Sequence, residues 1–324
     1  IDVCLWSIFT IQYEAMDDKK QKTSLESYKG VRDFYPEDMA VQNYIFDVWK
    51  KVAKDFKYEE YSASILEYAD LYRSKGSDEI VNEQMYTFTD KGDREVALRP
   101  EMTPTLARMV AARRKGLKLP LRWFSIPNVF RYERPQRGRK REHWQLNCDI
   151  MGLPGVEAEV EIITLAHKIM KEFGAKDEDF VICVNDRETL KNVSKPMMRL
   201  LDKRDKISEE EFETQSKEIT GEVFDLSQIK QTEKITELIE KLQIAGVKNV
   251  VFNEKITRGF DYYTGIVFEV FDTNEENKRS LFGGGRYDNL LEMFGVEPLP
   301  TVGFGMGDVT IRDFLETHNL PLKK

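Results

Sequence analysis

From Glu37 onward, Val41, Tyr44, Ile45, Val48, Trp49, Val52 and Phe56 recur at the spacing of one helix face. Such a stripe is either a core face or a subunit interface. Residues 58–66 then read as a strand, and residues 85–90 with 94–99 read as a hairpin turning at Lys91-Gly92-Asp93. In the LRPEMTP that follows, Thr103 is expected to cap a helix begun by Pro104, which leaves Glu101 just outside a helix N-terminus. A carboxylate there either complements the helix dipole or binds an ammonium group.

The clearest alternation surrounds a cluster of cations. Phe130 and Tyr132 alternate with Arg131 and Glu133, and beyond a loop Gln145, Asn147 and Asp149 alternate with Leu146, Cys148 and Ile150. Period-two geometry puts Arg131 and Glu133 on one face of the first strand, and Gln145, Asn147 and Asp149 on one face of the second. In the loop, Arg134, Arg137, Arg139, Lys140 and Arg141 crowd around Gly138. Either this is a solvated turn or it meets a polyanion. A floor of Arg, Glu, amide and Asp is a poor core and a good pocket.

Residues 157–173 predict a helix with Ile162, Ala166, Ile169, Met170 and Phe173 inward, and residues 180–185 a buried strand. Between 186 and 246, Lys and Glu dominate, and Ile235, Leu238, Ile239 and Leu242 mark an amphipathic helix. This stretch reads as a helical insertion domain. It leaves a tail at 1–28 and a main domain built from 29–185 and 247–324. Three glycine signatures follow: RGFDYYTG at 258–265, FGGGRYD at 282–288 and VGFGMGD at 302–308. Gly303, Gly305 and Gly307 alternate, so one face of that strand carries no side chains and a flat ligand or a packed backbone can lie on it. No Walker loop and no GxGxxG after a strand is present, which argues against the usual P-loop and Rossmann routes to nucleotide binding.

Composition narrows the picture. A chain of 324 residues with 41% hydrophobic content suits one large domain with an insertion, or two domains. A formal charge of −8 confines any contact with phosphates to local basic patches, of which the loop at 134–141 is the best. Cys4, Cys148 and Cys183 form no CxxC pair, and His143, His167 and His318 are scattered, so neither a disulfide framework nor a metal cluster is indicated and a reducing cytoplasm fits. No run approaches the ~20 apolar residues of a membrane span. The first fifteen residues lack a basic n-region and precede Met16, which is expected to be the natural start.

KGVRDFYPED (29–38), MYTFTD (85–90), LRPEMTP (98–104), the arginine hairpin at 130–152, RGFDYYTG and GGGRYD together resemble the class II aminoacyl-tRNA synthetases. Among these the chain is similar to the histidyl-tRNA synthetase family, for which RGFDYYTG is the discriminating piece. The resemblance runs from Lys29 to the C-terminus. It implies an α+β fold with a central antiparallel sheet flanked by helices and a helical insertion domain that touches the tRNA acceptor arm. The helix and strand of 41–66 are expected at a homodimer interface. The implied activity is ATP-dependent activation of L-histidine to histidyl-adenylate and transfer to the 3′ end of tRNA(His), with Mg2+ accompanying ATP. The chain is expected to be a catalytic core without the family's C-terminal anticodon-binding domain.

By the same resemblance Arg131 and Arg258 form the catalytic pair on opposite sides of the α-phosphate. ATP is assigned to Arg131, Glu133, Arg139, His143 and Arg258, with Arg139 on the γ-phosphate. Glu101, Thr103 and Gln145 match the residues that hold the α-ammonium of histidine, and Arg131 and Arg258 also belong to the histidine set. Asp149 and Tyr263 match those that bond the imidazole nitrogens, with Tyr262 beside them. The metal ligands stay open.

Four positions depart from the pattern. Thr310 stands where the third motif ends in an arginine, His143 where an adenine-stacking phenylalanine is usual, Ser64 where the first motif has proline, and Asp149 where a glutamate is frequent. Arg286 and Arg312 are candidates to replace the arginine. The alternative function is a non-catalytic, synthetase-like regulatory subunit of ATP phosphoribosyltransferase in histidine biosynthesis. The absent arginine favours it, and Arg131, Arg139, Arg258 and RGFDYYTG oppose it. A stand-alone RNA-binding protein needs aromatics interleaved with the basic loop, and only Trp144 lies close.

Overall fold

The computed structural model of the chain describes residues 24–74, 79–190, 193–204, 207–225, 229–256, 262–277 and 279–323. The chain runs through α1 (Pro36–Asp55), β1 (Glu59–Glu60), β2 (Leu66–Tyr68), α2 (Ala69–Arg73), β3 (Tyr86–Thr89), β4 (Glu95–Leu98) and α3 (Thr103–Arg113). It continues with β5 (Leu121–Ser125), β6 (Asn128–Phe130), β7 (Glu142–Met151), α4 (Glu157–Glu172), β8 (Phe180–Asp186), α5 (Lys195–Lys203) and α6 (Glu209–Thr220). It closes with α7 (Glu233–Ile244), β9 (Val250–Phe252), β10 (Ile266–Asp272), β11 (Ser280–Arg286), β12 (Thr301–Gly307) and α8 (Asp308–Thr317). No helix among the described residues is long and apolar enough to cross a membrane.

The nine-stranded sheet has the order β1-β5-β7-β12-β11-β10-β8-β9, with β6 on β7. From β5 to β8 every pairing is antiparallel, and the short outer strands β1 and β9 add in parallel. This is the α+β architecture that the resemblance implies. Alternation gives the middle strands two different faces. Leu146, Cys148 and Ile150 of β7 pair with Met306, Phe304 and Val302 of β12, and all six join one core. The polar residues of β7 and the glycines of β12 face the other way.

Helices α1, α4 and α7 cover the apolar face. Ile45 and Trp49 are fully buried, and the Trp49 indole Nε1 donates to Met306 Sδ at 3.1 Å. The α1 stripe is therefore a core face. An interface role for those side chains is not met, because the sheet needs this cover and α1 supplies it. The strand expected over 58–66 is also interrupted, leaving β1 and β2 at its two ends. The carbonyls of Ala63 and Ser64 turn instead to the buried Arg99 guanidinium, at 2.8 and 3.3 Å.

A smaller sheet, β2-β4-β3, stands beside the first. Its hairpin is tied by Asp90, whose Oδ1 accepts from the backbone N–H of Gly92 and Arg94 at 2.8 and 3.0 Å. Between β8 and α7, helices α5 and α6 start at Ser194 and Ser208, which accept N–H bonds from Met197 and Glu211. Leu190, Met197, Leu200, Leu201, Phe212 and Ile229 form a separate small core there. Ile235, Leu238 and Leu242 of α7 belong to the main core, so the segment 186–246 divides between two packing units.

Phe212→Ala should remove ~3–5 kcal/mol from the small core alone. Hydrogen exchange is expected to rise across α5 and α6 while β7 and β12 keep their protection. Equal loss of protection in both units would show that they unfold as one.

Candidate active site

Strand β7 carries Gln145, Asn147 and Asp149 on its polar face, and β12 runs antiparallel to it with Asp149 opposite Gly303 and Asn147 opposite Gly305. A Cβ on Gly303 would overlap Asp149 Oδ1, and a Cβ on Gly305 would overlap the Gln145 side-chain amide. These two glycines let the polar side chains lie across the neighbouring strand instead of standing away from it. Gly283 of β11, opposite Gly305, extends the bare floor.

Over this floor is a cavity of about 210 Å³, lined by Glu101, Thr103, Arg131, Gln145, Asn147, Asp149, Tyr262, Tyr263, Tyr287 and the three glycines, with Phe304. It falls below the roughly 300–1,000 Å³ of drug-sized pockets, which suits an amino acid better than a nucleotide. Three tyrosines form one wall, with ring centroids 5.2 Å apart for Tyr262–Tyr263 and 5.5 Å for Tyr262–Tyr287. The Tyr262 hydroxyl donates to Glu101 Oε2 at 3.1 Å, and the Tyr287 hydroxyl donates to Asp149 Oδ1. Gln145 Nε2 donates to Asn147 Oδ1 at 2.7 Å, which fixes both amides.

Glu101 precedes α3, as expected, but Thr103 is the first residue of that helix and not its cap. Its side chain lines the cavity instead. Arg131 lies just past β6, held by its backbone N–H to Arg141 O at 2.9 Å and by its Nε to Pro100 O at 2.8 Å. Its charge reaches both Glu101 and His143, and in each it favours loss of the proton. Glu133, Arg139 and His143 lie outside the cavity lining. Arg139 Nε pairs with Glu133 Oε2 at 3.1 Å. Arg258 lies outside the described residues.

Burial governs the charges. Desolvation pushes Glu101 up to about 7, against the pull of Arg131 and of the Tyr262 hydroxyl. It pushes Asp149 up to about 7 as well, against the hydrogen bond from Tyr287. Glu101 Oε1 is buried with no hydrogen-bond partner among the described residues. His143 is pulled down to about 3 by desolvation and by the nearby Arg131 and Arg32, so its ring is neutral. A neutral flat ring adds no charge and presents a π-face.

Neither candidate for the absent third-motif arginine is available. Arg286 binds both oxygens of Glu159, at 2.7 and 2.6 Å, and Arg312 pairs with Glu316 and Asp38. Thr310 itself donates to Leu281 O at 2.6 Å. Asn147 and Tyr287 were not singled out by sequence as site residues. The signals for them were the alternation that includes Asn147 and the tyrosine within GGGRYD. Among the described residues no group of three or more His, Cys, Asp and Glu is placed to hold a metal ion.

A family model described as Histidyl-tRNA synthetase matches residues 30–186 and 185–308. A histidine–tRNA ligase of Leptospira biflexa is 46% identical over an alignment of 334 positions that covers 93% of this chain and 76% of the relative. Two solved structures share the fold. Apo S. aureus histidyl-tRNA synthetase matches at 22% identity with a TM-score of 0.68, over 92% of this chain and 72% of its own. An ATP phosphoribosyltransferase regulatory subunit/histidyl-tRNA synthetase from Bacillus halodurans C matches at 24% with a TM-score of 0.74, over 90% and 83%.

The two raised carboxylates make stability depend on pH. Below about pH 3 both are protonated whether the chain is folded or not. As pH rises from there to about 7 the unfolded chain ionises while the folded chain keeps its protons, so these groups' contribution falls through that window and levels off above it. Glu101→Gln and Asp149→Asn should each flatten this part of the pH profile of the urea midpoint. An unaltered slope in both variants would mean that burial does not raise these groups.

Proposed function

Because the chain belongs to the histidyl-tRNA synthetase family, we propose that the cavity over Gly303 and Gly305 is the histidine site of a histidine–tRNA ligase. The chain uses ATP to activate L-histidine and passes the histidyl group to tRNA. The observation that carries the assignment of the cavity is its pair of buried carboxylates, each fixed by a tyrosine hydroxyl, on the two sides of one small void. An orphan acceptor at Glu101 suits an α-ammonium, supported by Thr103 and Gln145. Asp149 and Tyr263 suit the two imidazole nitrogens, with Tyr262 packing beside them. A site that hydrogen-bonds a substrate N–H rejects analogues lacking it by ~10⁴ or more, since its buried groups would be left unpaired.

The histidine carboxylate is already anionic when it attacks the α-phosphate, so this step needs no general base. It needs alignment and positive charge around phosphorus. Arg131 borders both the cavity and the His143 side, and its planar fork fits the α-phosphate and the amino-acid carboxylate. Arg258 is its proposed counterpart. Arg139, held by Glu133, would swing to the γ-phosphate, and the neutral ring of His143 would stack on adenine. Magnesium accompanying ATP would supply further positive charge to the phosphates, and Glu133, beside Arg139, is the carboxylate that would face it.

Histidine-dependent ATP–pyrophosphate exchange tests the assignment. Robust exchange is expected, and Arg131→Ala should lower it by roughly a hundredfold or more, the usual loss for one preorganised charge-stabilising group. Tight histidine binding without exchange would instead favour the regulatory-subunit alternative.

We further place the enzyme in the cytoplasm as a homodimer, with α5 and α6 facing the tRNA acceptor arm. The small sheet supports this reading of the dimer face. Leu66 and Tyr86 flank Leu98, and Tyr68 and Phe88 flank Val96, all on one face. Leu66, Tyr68 and Phe88 are 41%, 57% and 48% exposed. An apolar sheet face of this kind is matched by a second copy of itself. Tyr68→Asp with Phe88→Asp should give a monomer by sedimentation velocity; a monomeric parent chain, or a double variant that stays dimeric, would refute this interface.

A further inference from the structure

The third-motif position carries no cation, yet the triphosphate of ATP needs one there. Thr310 is tied to Leu281 O and Gly307 O at 2.6 and 3.2 Å. The basic loop closes over it, with a Cβ on Gly138 falling 3.7 Å from Thr310 Cγ2. Arg137 of the same loop is engaged with Thr317 and Glu276. Position 310 is thus committed to backbone carbonyls and packs under the loop.

Two residues earlier, α8 starts with a fully buried acid. Asp308 Oδ1 accepts from the Trp144 backbone N–H at 2.9 Å, and its Oδ2 accepts from Gln42 Nε2 at 3.1 Å and from Arg32 Nη2 at 2.7 Å. The acid thereby fixes Arg32 beside the end of β7 that carries His143. Arg32 also lies over the Phe34 ring, 4.9 Å from its centroid. Phe34 in turn packs edge-on against Trp144 at 5.3 Å.

A structural staple between an arginine and a carboxylate is normally forked, with two parallel bonds. Here Asp308 engages one nitrogen only. Arg32 Nε is enclosed without an acceptor, and among the described residues no other hydrogen-bond or ion-pair partner takes the rest of a five-donor group whose side chain is 17% exposed. A cation held by one edge, beside a neutral ring and within the field of Arg131, is arranged to accept an anion on its remaining donors.

We propose that Arg32 is the cation that meets the terminal phosphates of ATP in this chain, in place of an arginine at position 310, and that Asp308 is its positioning residue. This rests on the ligase assignment above. The charge comes from the segment before α1 and not from α8, with the acid of α8 as its anchor.

Histidine-dependent ATP–pyrophosphate exchange and direct titration with ATP and AMP decide it. Arg32→Gln should raise the KM for ATP on the order of tenfold, the scale of a charge-assisted hydrogen bond, with the KM for histidine changed by less than about twofold. Asp308→Asn should give a smaller rise with the same selectivity. AMP lacks the terminal phosphates, so its Kd should be equal in the parent and both variants. An unchanged ATP KM, an equal rise for both substrates or a parallel loss of AMP affinity overturns the proposal. Should Arg32→Gln fail to fold, Arg32→Lys decides: it keeps the charge but loses the fork, so the ATP KM still rises several-fold, and no rise overturns the proposal. A parent chain that binds ATP without exchange refutes the ligase assignment instead, and the ATP and AMP titrations then judge Arg32 alone.

Discussion

The site depends on how closely β12 lets its neighbour's side chains approach, and that closeness comes from the missing Cβ atoms at Gly303 and Gly305. With any other residue there, Asp149 and Gln145 would have to leave the floor. Alternation then makes β12 serve two purposes. Val302, Phe304 and Met306 complete the core under α1 and α4, while the opposite face stays bare and becomes the base of a void.

Within that void, charge is kept low until a ligand arrives. Burial raises both carboxylates to about 7, while Arg131 and the Tyr262 hydroxyl restrain the rise of Glu101 and the Tyr287 hydroxyl that of Asp149. Arg131 stands at the border, where its charge is felt by Glu101 in the cavity and by His143 outside it. Its backbone and its Nε are both tied, so the fork is aimed before any substrate binds.

Much of this was legible in the sequence because it is encoded at short range. The alternation through β7 and β12 names which residues share a face, and the spacing in α1 names its buried side. Periodicity does not say what lies opposite, which is why the α1 stripe left both a core face and a partner subunit open. The break between β1 and β2 is set by Arg99, more than thirty residues away, and no local pattern announces it. Arg32 and Asp308 lie 276 positions apart, and each alone reads as an ordinary surface charge. The family's motifs point to the residues that match a pattern, and say nothing of one that substitutes for a missing match.

The helical unit of α5 and α6 has one further implication. It is spliced into the crossover between β8 and β9, which pair in parallel with Ile182 opposite Val250, and α7 alone already completes that crossover. Its own core shares little with the sheet, so changes to its length or surface leave strand register untouched. A lineage can therefore remodel this appendage to suit a changing partner without disturbing the chemistry, much as a tool head is exchanged on a fixed shaft.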